Sequence, residues 1–339
     1  MGATMGGDDD AAAGPTAADV TAARRRIAGL AVTTPVVPSP ALTRHLDVEV
    51  MCKLESVQPT GSFKVRGAAS AVRALDPAAA GRGVVTASTG NHGRAVAHVA
   101  AQLGVPATVC VSQRVPADKV AALEALGCEL HVAGEHQADA LAAADRLAAN
   151  RSLHVIHPFD DPAVIAGQGT CGAELVEQHP ATTAVLVPLS GGGLFAGVGL
   201  AVRAARPDIR LIGVSMERAP VMAESLAAGA PAELEAESPT LADSLQGGIG
   251  GDGNRHTFAL VRALIDDLVL LSEAEIWAGM RFAFDQHRWV LEGGGAVGIA
   301  ALLAGKVAVD GPVTVLCSGA NAEARHVAAM AAGASQPPE

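Results

Sequence analysis

One lysine in this sequence stands where its proton is hard to keep. Lys64 lies in Pro59-Thr60-Gly61-Ser62-Phe63-Lys64-Val65-Arg66-Gly67. Thr60, Gly61 and Ser62 have the composition of a turn with an N-cap, so a helix is expected to begin near Phe63. The first turn of a helix favours anions, and an ammonium placed there against an apolar side chain is pushed towards the neutral amine. A neutral amine is the form that makes a Schiff base. A solvated lysine that merely follows a turn has the same local sequence, so this stretch alone decides nothing.

Three further stretches could do chemistry. Ser88-Thr89-Gly90-Asn91-His92-Gly93 supplies hydroxyls and helix-opening N–H groups, a cradle for a carboxylate; an ordinary capped turn uses the same residues. Ser190-Gly191-Gly192-Gly193-Leu194 lets backbone N–H groups converge on one anion, for which phosphate is the natural guest. A turn needing positive φ accounts for one or two of those glycines and poorly for three. In Cys317-Ser318-Gly319-Ala320-Asn321, Ser318 could hydrogen-bond a ring nitrogen or simply cap a helix. Gly191 to Ala196 also satisfies a dinucleotide fingerprint, and Glu217 follows the next apolar run, where a ribose-binding acid would sit. An NAD-binding oxidoreductase is therefore a competing reading. Gly248 to Gly253 fits the same pattern, but no strand leads into it, and it is expected to be a loop.

The elements that must hold these stretches alternate. Candidate strands lie at 50–54, 83–88, 107–111, 129–132, 184–189, 211–215 and 313–317, and most are continuous apolar runs, as strands buried on both faces are. Alanine-rich helical segments fall at 65–75, 92–103, 116–126, 137–149, 193–205 and 273–287. Such alternation predicts an α/β fold of mostly parallel sheets flanked by helices. Sites in such folds open at the carboxyl ends of strands, where the glycine-rich and serine-rich stretches fall. The strands form two groups, about 80–132 and 184–317. They predict a small domain at 69–157 and a large one built from 16–68 and 158–334, after a tail at 1–15.

A net charge of −11 argues against a nucleic-acid partner, which needs a basic face, and against docking on anionic lipid. No apolar run reaches the roughly 18 residues that span a bilayer, and no secretory signal precedes the first helix. The cysteines at 52, 110, 128, 171 and 317 form neither a CxxC pair nor a metal-ligand spacing, which reads as reduced thiols in a cytoplasmic protein. Only 2% of residues are aromatic, so the core must be filled by Ala, Val, Leu and Ile.

Taken together, SFKVRGA (62–68), STGNHG (88–93), SGGGL (190–194) and CSGAN (317–321) resemble, in that order, the fold-type-II pyridoxal phosphate (PLP) enzymes of the serine/threonine dehydratase branch. GVSMERA (213–219) and LADSLQGGIG (241–250) are similar to the dehydratases of hydroxyectoine utilisation. The resemblance implies a two-lobed homodimer in which Lys64 holds PLP covalently and moves the Cα proton. Phe63 packs near the cofactor and Asn91 bonds its phenolic oxygen. Gly191, Gly192, Gly193 and Leu194 bind its phosphate, and Ser318 faces its ring nitrogen. Ser88, Thr89, Gly90 and His92 hold the substrate carboxylate. The implied reaction takes water and then ammonia from a small β-hydroxy amino acid: threonine, serine, 3-hydroxyaspartate or a hydroxyectoine-derived one. Racemisation, β-replacement and a non-catalytic binding role stay open.

Departures from that pattern carry their own expectations. Ser190 stands for a fourth glycine, Ala320 for a glycine, Glu292-Gly293-Gly294 for Glu-Pro-Ser/Thr, and Ser244 for a glycine beside the substrate. Ser215 and Val221 occupy the acidic positions of metal-activated relatives, so no metal is expected. Thr89 stands where serine racemases have a second serine, which disfavours racemisation. No regulatory domain follows the last strand, so feedback control is not expected.

Overall fold

The computed structural model of the chain describes residues 14–88, 90–113, 115, 117–233 and 238–338. The expected tail therefore lies outside the described residues up to position 13. Two sheets organise the rest. The larger draws on β1 (Val36–Pro38), β2 (Val50–Leu54), β7 (Ala184–Pro188), β8 (Arg210–Met216), β9 (Asp267–Leu271) and β10 (Val313–Cys317), in the order β1-β2-β10-β7-β8-β9. Every neighbouring pair is parallel except β1 with β2. The smaller sheet is all parallel, in the order β5-β4-β3-β6, from β3 (Val84–Ala87), β4 (Ala107–Val111), β5 (Glu129–Val132) and β6 (His154–Val155).

Most of the apolar runs are strands for the expected reason, but β5, at a sheet edge, is exposed at both ends and half-buried between, so the burial expected of 129–132 does not hold. Every residue of β3, β7 and β10 is buried. Strands β1, β6 and β9 were not anticipated. Each lies at a sheet edge. β1 is three residues ending in Pro38, β6 is two residues, and β9 opens on Asp267 and is only half-buried along most of its length. Edge strands lack the unbroken apolar run that identifies a central one.

The helix Pro162–Gln178 was also not anticipated; it contains Gly167, Gly169 and Gly172, a residue type of low helix propensity. Asp161 caps it, accepting from the N–H groups of Ala163 (2.7 Å) and Val164 (2.9 Å), and Pro162 sits at its first position. Its glycines serve close packing. A Cβ on Gly167 would lie 2.5 Å from the Arg66 carbonyl oxygen, and one on Gly169 would lie 2.8 Å from that of Gly197. The helix thus seats directly on helices Lys64–Ala74 and Gly193–Ala205, the two that open with the lysine and glycine motifs.

Beneath that junction lies a buried set of four charges. Lys53 donates to Glu174 (2.7 Å), the Thr34 carbonyl (2.7 Å) and Gln178 (3.0 Å). Arg66 spans Glu55 (2.7 and 2.8 Å) and Glu174 (2.7 and 2.8 Å) and reaches Thr170 at 3.0 Å. Two cations and two carboxylates leave no net charge in the interior. Burial pushes the Glu55 carboxyl up, but the Arg66 guanidinium outweighs it and holds the group below its ordinary range. No helix among the described residues is long and apolar enough to cross a membrane.

Candidate active site

The four motifs meet at the carboxyl ends of the two sheets. Lys64 opens the helix Lys64–Ala74, with Phe63 as its N-cap residue. Its turn is stitched to the end of β10. Ser62 pairs with Gly319, the Phe63 N–H donates to the Ser318 carbonyl (3.1 Å), and the Ala320 N–H donates to the Gly61 carbonyl (2.8 Å). Lys64 Nζ donates to the Pro158 carbonyl at 2.7 Å and lies 5.3 Å from the Phe63 ring centroid. Burial brings its ammonium down to about 8, against the opposing pull of Glu292. An amine at that value is partly neutral at physiological pH, as the helix-start position suggested.

The glycine motif reaches the lysine through the segment that follows Pro158. Gly192 adopts φ +88° and caps the helix Gly193–Ala205, a left-handed turn that favours glycine. A Cβ on Gly191 would stand 2.6 Å from the Phe159 ring, and one on Gly193 would stand 2.7 Å from the Phe159 carbonyl oxygen. The first N–H groups of this helix have no intrahelical acceptor, so they present a preformed anion site. Leu194 and the half-buried Phe63 and Phe159 belong to one apolar cluster.

The small sheet contributes the helix Asn91–Leu103, which follows β3. Asn91 ties the small-sheet helix to the large lobe. Its Oδ1 accepts from Asn321 Nδ2 at 2.5 Å, and its Nδ2 donates to Glu292 Oε1 at 2.7 Å. Asn321 also donates to the Thr60 carbonyl (3.0 Å). Ser88 Oγ accepts from the Gly90 N–H at 3.3 Å. Thr89 lies outside the described residues. His92 Nε2 faces the Ile156 carbonyl at 2.9 Å, so it carries the proton and leaves Nδ1 as an acceptor. Burial, with Lys64 nearby, lowers this imidazole to about 3. His92 can therefore offer a carboxylate only its backbone N–H.

Ser318, buried at the end of β10, donates to the Gly294 carbonyl at 3.3 Å. Three buried polar atoms around this centre, Thr60 Oγ1, Ser62 Oγ and His92 Nδ1, have no hydrogen-bond partner, which suits a pocket made for a polar guest. The residues fit PLP. An amine of lowered proton affinity can take its aldehyde, a glycine-lined helix start its phosphate, an amide its phenolic oxygen and a hydroxyl its ring nitrogen. The sequence reading had no role for Glu292, Pro158 or Phe159. An acid directly before a glycine run that opens the helix Gly293–Leu303 was the available signal for Glu292.

Among the described residues, no group of three or more His, Cys, Asp and Glu is placed to hold a metal ion. Glu217 instead pairs with Lys306 at 3.4 Å, and Lys306 also contacts Glu275 at 2.8 Å.

The chain is similar to known proteins over most of its length. A putative threonine dehydratase of Sinorhizobium fredii is 50% identical over 300 residues, covering 88% of this chain and 90% of the relative. An L-threonine ammonia-lyase of Thermotoga maritima is 37% identical over 313 residues, covering 92% and 77%. The structure of maize serine racemase superposes with a TM-score of 0.88 at 30% identity, over 95% of this chain and 98% of that one. Residues 27–319 match the model of the pyridoxal-phosphate dependent enzymes, and the chain is a member of that family, a PLP-dependent lyase by kinship with the ammonia-lyases.

Proposed function

We propose that this chain is an ammonia-lyase that converts a small β-hydroxy amino acid into a keto acid and ammonia. The observation that carries the reading is Lys64: a partly neutral amine, held by the Pro158 carbonyl at the mouth of the large sheet and surrounded by the three other motifs. When bound, PLP supplies the electron sink that makes the substrate Cα proton acidic. The protein's part is to hold and direct. Lys64 Nζ takes the Cα proton. Backbone N–H groups at the start of the helix Asn91–Leu103, with the Ser88 hydroxyl, Thr89 and Gly90, hold the carboxylate. Gly191, Gly192, Gly193 and Leu194 hold the phosphate. Asn91 orients the phenolic side of the ring, Phe63 packs near it, and Ser318 meets the ring nitrogen. A serine there, unlike a carboxylate, would not hold a proton on that nitrogen, which would favour loss of the β-hydroxyl as water over transamination. The enamine that leaves hydrolyses to the keto acid and ammonia.

Residues 69–157 form the small lobe in this proposal, 16–68 and 158–334 form the large one, and the enzyme works as a cytoplasmic homodimer. Threonine or serine suits the relatives' chemistry, and the likeness of 213–219 and 241–250 to hydroxyectoine-utilisation dehydratases adds 3-hydroxyaspartate and a hydroxyectoine-derived amino acid. A racemase needs a second acid on the opposite face. Thr89 stands where serine racemases carry the serine for that role, and the His92 imidazole, neutral with its proton turned to Ile156, does not supply one. Keto-acid release should be assayed across these four substrates with PLP saturating. Release from at least one is expected; enantiomer formation without keto acid would replace the lyase reading with a racemase.

A further inference from the structure

Among the described residues, Glu292 is the buried carboxylate at the meeting point of the four motifs, and nothing in the reaction as described uses it. It is 5% exposed and stands just before the helix Gly293–Leu303. The backbone around it is cut to fit: a Cβ on Gly319 would fall 2.4 Å from its Oε1. Its oxygens accept from Asn91 Nδ2 (2.7 Å), from the Ser244 hydroxyl and from the Asn321 N–H. Asn91 has a fixed amide as a result, since Oδ1 is bound by Asn321 and one N–H is bound by Glu292. Only its second N–H is left for a ligand.

We propose that Glu292 is a positioning residue, holding the Asn91 amide in the single orientation that turns its remaining N–H towards the bound cofactor. The inference rests on the PLP-dependent reaction assigned above. A neutral residue without an acceptor oxygen would let the amide rotate and offer its oxygen, a repulsive partner for a phenolate. The carboxylate also bears on Lys64, whose protonated form it favours.

The charges facing Glu292 come from several elements. Asp243 lies on the short helix Asp243–Leu245 and pairs with Lys119 at 3.5 Å. Lys64 faces it from its own helix, and Glu323 and His326 line a narrow cleft behind it. Burial first, then Asp243, raise the Glu292 carboxyl to about 7, against the lowering bonds from Asn91, Ser244 and Asn321. The anion is the strong acceptor. Activity that depends on it should therefore fall as pH drops through about 7.

The test compares Glu292→Gln and Glu292→Ala with the unsubstituted PLP-loaded enzyme. Gln keeps an acceptor oxygen for Asn91 and loses the charge. In the Ala variant, kcat should drop roughly 100-fold, the cost of a small misplacement, with KM changed far less and the visible band of the cofactor displaced. In the Gln variant the band should return, kcat should rise above that of the Ala variant to the level the unsubstituted enzyme shows below pH 7, and the acid limb near pH 7 should disappear. The side-chain amide NMR signals of Asn91 should show one strongly hydrogen-bonded proton in the unsubstituted chain and not in the Ala variant. An unchanged band and kcat in the Ala variant, an Asn91 signal indifferent to Glu292, or equal impairment of Ala and Gln would overturn the proposal. The amide signal decides the matter even in a chain that releases no keto acid, an outcome that would overturn the assigned reaction instead.

Discussion

Replacing Arg66 by methionine would convert the buried, balanced charge set into one with an excess carboxylate. Glu55 and Glu174 are 0% and 3% exposed, and Lys53 alone would remain to face them. Breaking a buried ion pair from one side costs about 3–5 kcal/mol. One escape limits that cost: a stranded carboxylate can take up a proton. For a group with an ordinary value of 4.5, protonation costs roughly 1.4 kcal/mol per pH unit above that value, hence about 5 kcal/mol at pH 8 and about 1.4 at pH 5.5. The folded-state pKa of the stranded carboxyl is raised, so the loss of stability must grow as pH rises. Arg66→Met should therefore cost about 4 kcal/mol at pH 8 and under about 2 at pH 5.5. Trp277 and Trp289 both belong to the large-sheet core, so urea unfolding followed by their emission reads the right region. A loss below about 1 kcal/mol at pH 8, or the same loss at both pH values, would refute the electrostatic account. Adding Glu174→Gln should restore part of the stability at pH 8.

Lys64→Ala should abolish turnover and the cofactor's visible band while the urea transition stays near that of the unsubstituted chain; residual turnover above about 1% would exclude Lys64 as the Cα base. Gly191→Ala places a methyl against the Phe159 ring, 2.6 Å from its nearest atom, and overpacking of this kind costs about 1–3 kcal/mol. Equilibrium dialysis should show PLP affinity reduced at least tenfold, and unchanged affinity would mean that the loop is not the phosphate site. Exhaustive EDTA treatment with PLP saturating should leave activity intact, because Ser215 and Val221 offer no carboxylate and Glu217 is engaged by Lys306. Loss restored by magnesium but not by PLP would contradict that reading of the loop.

What the sequence disclosed, and what it hid, follows from burial. Central strands are unbroken apolar runs, so β2, β4 and β10 are legible to the residue. The motif loops were legible because glycine, serine and asparagine collect where a strand hands over to a helix. The helix Gly293–Leu303 was not, since all its residues but the last are buried and it has no polar face to give a period. The helix Pro162–Gln178 was hidden by glycines that serve contact rather than turning. Glu292 escaped because a buried acid differs from a surface one only through partners that are distant in sequence: Asn91 is 201 positions away.

The strand order has a consequence for synthesis. β10 lies between β2 and β7, so the large sheet stays split in two until residues 313–317 leave the ribosome. The small sheet, drawn wholly from residues 84–155, has no such dependence and can close early on the nascent chain. Lys64 emerges long before the Ser318 carbonyl that anchors its neighbour Phe63. A ribosome-bound chain stalled before β10 would thus carry a folded small sheet beside an unformed lysine turn. The burial that lowers the Lys64 ammonium to about 8 is thus completed only when the last strand arrives.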